Sequence, residues 1–251
     1  MGAYRPKEDY VIRRLSLAGL VITAAFAVTA FYLPRYSAVA TAATTPATGA
    51  LPVVSGAASA AADPPPQAIQ GVSDIDPHQT EGSKNAPMVM EVFSDYQCPA
   101  CKQLFLTTDH PIVDSYVNTG KIFLIHRDFP LPMHAYSRVA ARYARAAAQL
   151  GKLEPVERTL FQNQEKWEAS GDVDGTVASV LTPAEMAKVR ALVKGGTMDA
   201  LIDKDYALGQ IYHVNSTPTT ILHTKGQTFP VPGVLTFDAL HSFIDQLLGQ
   251  K

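Results

Sequence analysis

Cysteine is scarce in this chain: two residues in 251, Cys98 and Cys101. That scarcity excludes a disulfide framework, which uses more cysteines spread over longer loops. A zinc site lacks its second half, because no other cysteine pair exists. His110, His126, His134, His213 and His223 also lack the paired spacing that zinc ligands show. Basic runs are missing downstream of residue 80, and the formal net charge is −2. A nucleic-acid partner needs a basic footprint to collect phosphates, so that class is set aside. Charged residues amount to only 18%, and the shortage is local. Leu15 to Leu33 carries no charge, and neither do residues 37–62.

What is present begins with Arg5, Lys7, Arg13 and Arg14 in a short N-terminal segment, residues 1–14, followed by an apolar stretch within 15–34. As a helix the charge-free run would measure about 28 Å, close to the roughly 30 Å of a bilayer core. Positive charge ahead of it favours a cytoplasmic N-terminus and export of the chain downstream. A cleavable signal peptide is the competing reading, with Ala38-Val39-Ala40 as its cleavage site. The apolar run is longer than usual for a signal, however, and Arg35 interrupts the approach to that site. A buried core helix would have nothing to cover it. A retained transmembrane anchor is therefore expected, and export is common to the first two readings.

Residues 35–80 are rich in Ala, Thr, Pro, Ser and Gly and include Pro64-Pro65-Pro66. Such a segment buries too little apolar surface to offset its ordering entropy and reads as a flexible linker. As a coil it would span about 40 Å. The folded domain is expected over 81–251. The runs MVMEVFS (Met88 to Ser94), KIFLIH (Lys121 to His126) and TTILH (Thr219 to His223) predict strands, with a fourth at Thr228 to Val231 across Lys225-Gly226. Helical spacing appears over Pro99–Asn118 and Thr236–Leu248. It also appears in a block from about 133 to 212, at Ala135–Leu150, around Leu160–Trp167 and at Pro183–Lys194. The order β-α-β, helical block, β-β-α predicts an α/β mixed sheet flanked by helices.

Strand, then Cys98-Pro99-Ala100-Cys101, then helix is the strongest chemical signal. Unpaired N–H groups and the partial positive charge of a helix N-terminus favour a thiolate. Pro99 suits the first helical position, where its missing N–H costs nothing. Cys98 is expected to be the more exposed sulfur, the one that attacks or is attacked, and Cys101, one turn further in, the resolving one. Half of a zinc site and an inert structural disulfide are the bland alternatives. The second signal is Ser216-Thr217-Pro218-Thr219 entering a strand, where proline belongs at an edge or at the first residue.

The stretch from Gly82 to His223 resembles the DsbA-like family of thioredoxin-fold proteins. The resemblance rests on Ala86-Pro87, on Glu91 through Cys101 (EVFSDYQCPAC) and on Arg127-Asp128-Phe129-Pro130-Leu131. It continues through the Ala-rich helix, Leu160-Phe161 with Trp167, and Ser216 to Thr219. It implies a thioredoxin fold with an inserted helical subdomain. It implies too that Pro218 is cis and faces the Cys98–Cys101 pair, with the Thr217 backbone pairing a bound substrate strand near Pro99 and Ala100. In the wider fold an acid on the strand before the motif serves proton transfer to the inner cysteine. Glu91 resembles that acid, the alternative being a side chain at the sheet edge in solvent.

Two positions depart from the pattern. Ala100 stands where the most oxidising members carry histidine, which points to a milder oxidant. Ser216 replaces a frequent glycine. Asp95 reads as a turn or cap residue, His134 and His213 as surface or capping residues, and Arg138, Arg142 and Arg145 as a solvated stripe. Trp167, Phe161 and Leu160 read as core.

The resemblance implies an extracytoplasmic, periplasmic thiol–disulfide oxidoreductase whose only redox group is the Cys98–Cys101 disulfide, with no metal or other cofactor. Its partners would be exported proteins bearing thiols and a membrane quinone-linked reoxidant, and a monomer is expected. Running in reverse, as a reductase or isomerase fed by an electron donor, is the nearest rival. A non-enzymatic dithiol metal carrier or complex component is a further one.

Overall fold

The strand residues form one five-stranded sheet, seen in the computed structural model, which describes residues 72–249. The strands are β1 (Thr80–Glu81), β2 (Met88–Ser94), β3 (Ile122–Asp128), β4 (Thr219–Thr224) and β5 (Gln227–Pro232), in the order β1-β3-β2-β4-β5. Central β2 runs parallel to β3 and antiparallel to β4. Lys225 and Gly226 both take positive φ, 51° and 73°, the geometry of the tight turn that joins β4 to β5.

Successive side chains on a strand point to opposite faces. Met88, Met90 and Val92 pack with Ile122, Leu124 and Leu222 against Leu104, Ile112, Tyr116, Leu240 and Ile244. These partners come from α1 (Pro99–Leu104), α2 (His110–Ile112) with its flanking turns, and α9 (Phe237–Leu248). The opposite face carries Phe93 and Ile221 against Phe129, Leu208 and Val214. The run after α1 contains two wide π turns, Phe105–Asp109 and Val113–Val117. Pro111, which has no N–H to donate, sits between them.

Between β3 and β4 lies the helical insertion. It comprises α3 (Ser137–Ala148), α4 (Leu153–Gln162), α5 (Gln164–Ser170), α6 (Val173–Ala178), α7 (Pro183–Lys194) and α8 (Thr197–Ile211). Its core holds Leu160, Phe161 and Trp167, together with Tyr96, Cys98 and Cys101 from the β2–α1 junction. Gly209 on α8 meets Phe129 so closely that an added Cβ would lie 2.5 Å from the ring.

Two sequence expectations change here. Residues 72–79 do not read as linker in the fold. Val72 and Ile75 pack on Ala86, Val89, Phe123 and Ile125, and Pro77–Gln79 forms a 3-10 turn capped by Asp76. Two apolar anchors and hydrogen bonds to its carbonyls outweigh the polar composition of this piece. Arg145, expected in a solvated stripe, is buried; it pairs with Asp128 and Asp205, and with Asp76 at 3.2 Å. Among the described residues no helix is long and apolar enough to cross a membrane. The anchor expected over 15–34 and the linker up to residue 71 lie outside them.

Candidate active site

Cys98 is the N-cap of α1, with extended backbone (φ −78°, ψ 120°), and Pro99 opens the helix. The turn ahead of it is built by Asp95. One carboxylate oxygen accepts from Gln97 N at 2.7 Å; the other accepts from Leu131 N at 2.7 Å and faces His134 Nδ1 at 2.9 Å. This carboxylate therefore ties the loop after β3 to the cysteine loop. The insertion grips the same loop from its other side. Gln164 of α5 donates to the carbonyls of Tyr96 and Cys98 at 2.7 and 3.2 Å, and the Tyr136 N–H donates to the Gln97 side chain.

Across the sheet the Thr217–Pro218 bond is cis, and Gly233 N donates to the Pro218 carbonyl at 2.8 Å. The loop brings the Thr217 carbonyl to 3.2 Å from Cys98 Sγ. The motif and the Thr-Pro loop, 119 residues apart in sequence, thus form one site. Pro99 and Ala100 flank it on the first turn of α1.

The two sulfurs, both free thiols, are unlike in exposure and in acidity. Cys98 is 7% exposed and Cys101 only 1%. Donation from the Cys101 thiol lowers the Cys98 pKa to about 5, helped by Thr217 and the backbone N–H groups of Cys101 and Ala100, against burial. Burial, then the neighbouring Cys98, pushes Cys101 well above the ordinary thiol value. Its sulfur lies 3.4 Å from Asp95 N. One sulfur is poised as an anion and the other stays protonated, the division of labour that exchange requires.

The thiolate is directly measurable. Its ultraviolet absorbance in the reduced protein is expected to titrate with a midpoint near 5, well below the roughly 8.5 of a free cysteine. A midpoint above about 8 would contradict this electrostatic account.

Glu91 occupies neither of its two expected places. Val92 and Ser94 line the small cavity beside Cys101, so Glu91, one residue out of phase with them, points to the opposite face of the sheet. There it is fully buried and paired with Arg127 Nε at 2.6 Å and His223 Nε2 at 2.8 Å. It is a structural carboxylate. Three other carboxylates share that cavity with Cys101: Asp109, Asp128 and, from α4, Glu157. A signal for the last exists in the sequence: Glu157 interrupts an apolar stripe formed by Leu153, Val156, Leu160 and Phe161.

Comparison with known proteins agrees with this geometry. The model of the family described as thioredoxin matches residues 76–246. Similar solved structures include α-DsbA1 of Wolbachia pipientis (16% identical, TM-score 0.57, 68% of this chain and 90% of that one). BdbD of Bacillus subtilis is 20% identical, with TM-score 0.57 and coverage of 68% and 92%. A thioredoxin-like oxidoreductase of Silicibacter pomeroyi is 25% identical, with TM-score 0.57 and coverage of 70% and 95%. A curated relative, the Na(+)/H(+) antiporter NhaA 1 of Mycobacterium sp. strain KMS, is 27% identical over 168 residues, 66% of this chain. The match spans only 27% of that protein's length. The chain belongs to the thioredoxin family and carries the DsbA-like form of its fold, with the helical insertion between β3 and β4.

Proposed function

We propose that the protein is an extracytoplasmic thiol–disulfide oxidoreductase that introduces disulfides into exported proteins. The observation that carries this reading is the acidic Cys98 sulfur at the start of α1, 3.2 Å from the Thr217 carbonyl beside cis Pro218. A substrate thiolate attacks Cys98 of the oxidised pair, and the Cys101 sulfur leaves. The substrate's second thiolate then attacks the mixed disulfide and releases Cys98 as the thiolate this site stabilises. Stabilising the reduced pair in this way makes its disulfide an oxidant. An extended substrate strand beside the Thr217 backbone would hold the attacking sulfur in line.

The exported location rests on the apolar segment 15–34 with its preceding positive charges. As a retained anchor, it would hold the domain near a quinone-linked membrane reoxidant and raise the effective concentration for that encounter. Ala100 favours a second reading, a reductase or isomerase, because its side chain offers the Cys98 thiolate no donor.

Equilibration of the Cys98–Cys101 couple against glutathione separates the two. A disulfide donor is expected to poise above about −200 mV, on the oxidising side of the glutaredoxins. A value well below about −230 mV, toward thioredoxin, would assign the reductase direction instead.

A further inference from the structure

The inner sulfur has a proton problem that the cysteine pair does not solve by itself. When a substrate thiolate attacks Cys98 of the oxidised pair, the Cys98–Cys101 bond breaks and its electron pair goes to Cys101 Sγ. That sulfur is 1% exposed and resists holding charge. In the reverse step Cys101 must shed its proton before it can attack a mixed disulfide at Cys98. Strand β2 offers no acid for either step, because the residue on the Cys101 side is Val92 and Glu91 points away.

Behind Cys101 lies a cavity of about 10 Å³, the room needed for one water. Its wall brings together Cys101, Tyr96, Asp109, His126 and Glu157. We propose that Glu157 is the proton relay for Cys101, acting through a water in this cavity and giving up its proton as Cys101 leaves. When Cys101 attacks, the proton returns along the same path. The inference rests on the exchange chemistry proposed above.

The groups around Glu157 suit it to the task. From the β2–α1 loop the Tyr96 hydroxyl donates to Oε1 at 2.7 Å. From β3, His126 Nδ1 lies 3.7 Å from Oε2, while its other nitrogen meets Glu81 of β1 at 3.0 Å. Asp128 of β3 and Asp109 of the first π turn add negative charge nearby, and Arg145 of α3 neutralises Asp128. Burial raises the Glu157 pKa to about 7, although His126 and the Tyr96 hydroxyl pull it down. Burial likewise opposes the charged form of His126, but Glu157, Glu81 and Asp109 outweigh it and raise that pKa to about 9. At neutral pH, Glu157 can therefore either give or take a proton, and an imidazolium stands beside the carboxylate it leaves behind.

Single-turnover reduction of the oxidised protein by a small thiol, corrected for the thiolate present at each pH, tests the relay. The wild-type rate is expected to be high below pH 7 and to fall as Glu157 loses its proton near 7. In E157Q the rate below pH 7 should drop by roughly 100-fold, the lower end of general acid–base effects, and the inflection should disappear. Y96F provides a check that does not depend on E157Q folding. It removes a donor to the ionised carboxylate and should move the inflection upward. An E157Q profile that overlays the wild type, or a Y96F inflection that stays in place, would overturn the relay. A wild-type protein that exchanges no disulfide at any pH would instead overturn the reading on which the relay rests.

Discussion

Cys98→Ala should reduce thiol oxidation to the reagent-only background, while Cys101→Ala should still react once and then stall. The asymmetry follows from where the two sulfurs sit. Cys98 caps α1, is the more exposed, and has a pKa near 5, so at neutral pH it carries the nucleophilic charge. With alanine there, Cys101 remains buried and protonated and is no substitute. With alanine at Cys101, the Cys98 thiolate loses the thiol that donates to it and its acidity weakens. It can still attack a disulfide of a substrate or redox partner and break it, releasing one of its sulfurs as a thiolate and keeping the other in a mixed disulfide. No intramolecular thiol is left to break that bond. Adducts between the Cys101→Ala protein and substrates should therefore accumulate and be recoverable after acid trapping. Non-reducing electrophoresis with mass spectrometry reads the result, and in the cells that make the protein it also names the substrates and the redox partner. Full turnover by Cys98→Ala, or equal trapping by both variants, would contradict the assignment of roles.

Much of this site is legible in the sequence, because its signals are local. A C-x-x-C at a strand–helix junction is a contiguous pattern, and Thr217-Pro218 punctuates the start of β4. Direction is not legible. β2 is buried on both faces, so MVMEVFS offers no alternation to show which way Glu91 points. Only the register against β3 and β4 fixes its partners, and those strands lie 36 and 132 residues away. The buried charges Arg145 and Asp205 are hidden for a related reason. Each sits on the apolar stripe of its helix, where a lone charge resembles an edge of the solvated face. The sequence pattern does not separate α8, the longest helix of the insertion, from its neighbours, although Met198, Leu201, Ile202, Leu208 and Gly209 follow helical spacing. Composition assigns residues 72–79 to the linker because it cannot register two apolar anchors and a capped turn.

Arg127→Met is expected to destabilise the fold by about 3–5 kcal/mol, the range for removing one partner of a buried ion pair. The Arg127 side chain is 1% exposed and reaches Glu91 at 2.6 Å, Asp205 at 2.9 Å and the carbonyls of Ser73 and Asp74 at 3.0 Å each. Methionine fills much of the space but leaves the Glu91 carboxylate, 0% exposed, without its cationic guanidinium and with only His223 and the Tyr212 hydroxyl as side-chain partners among these contacts. It also unpins residues 73–74 from the domain. The cost should come from the stranded charge more than from any net worth of the pair. Arg127→Met/Glu91→Leu should therefore recover part of the loss, a coupling that denaturant titrations of the wild type, both single variants and the double variant would expose. Losses below about 1 kcal/mol, or strictly additive ones, would contradict this account. A separate variant distinguishes the two buried acids: Glu91→Gln should leave the pH profile of thiol exchange intact, because Glu91 lies across the sheet from Cys101. The strand acid then serves the architecture, and the chemistry of the inner sulfur is left to the face lined by Val92 and Glu157.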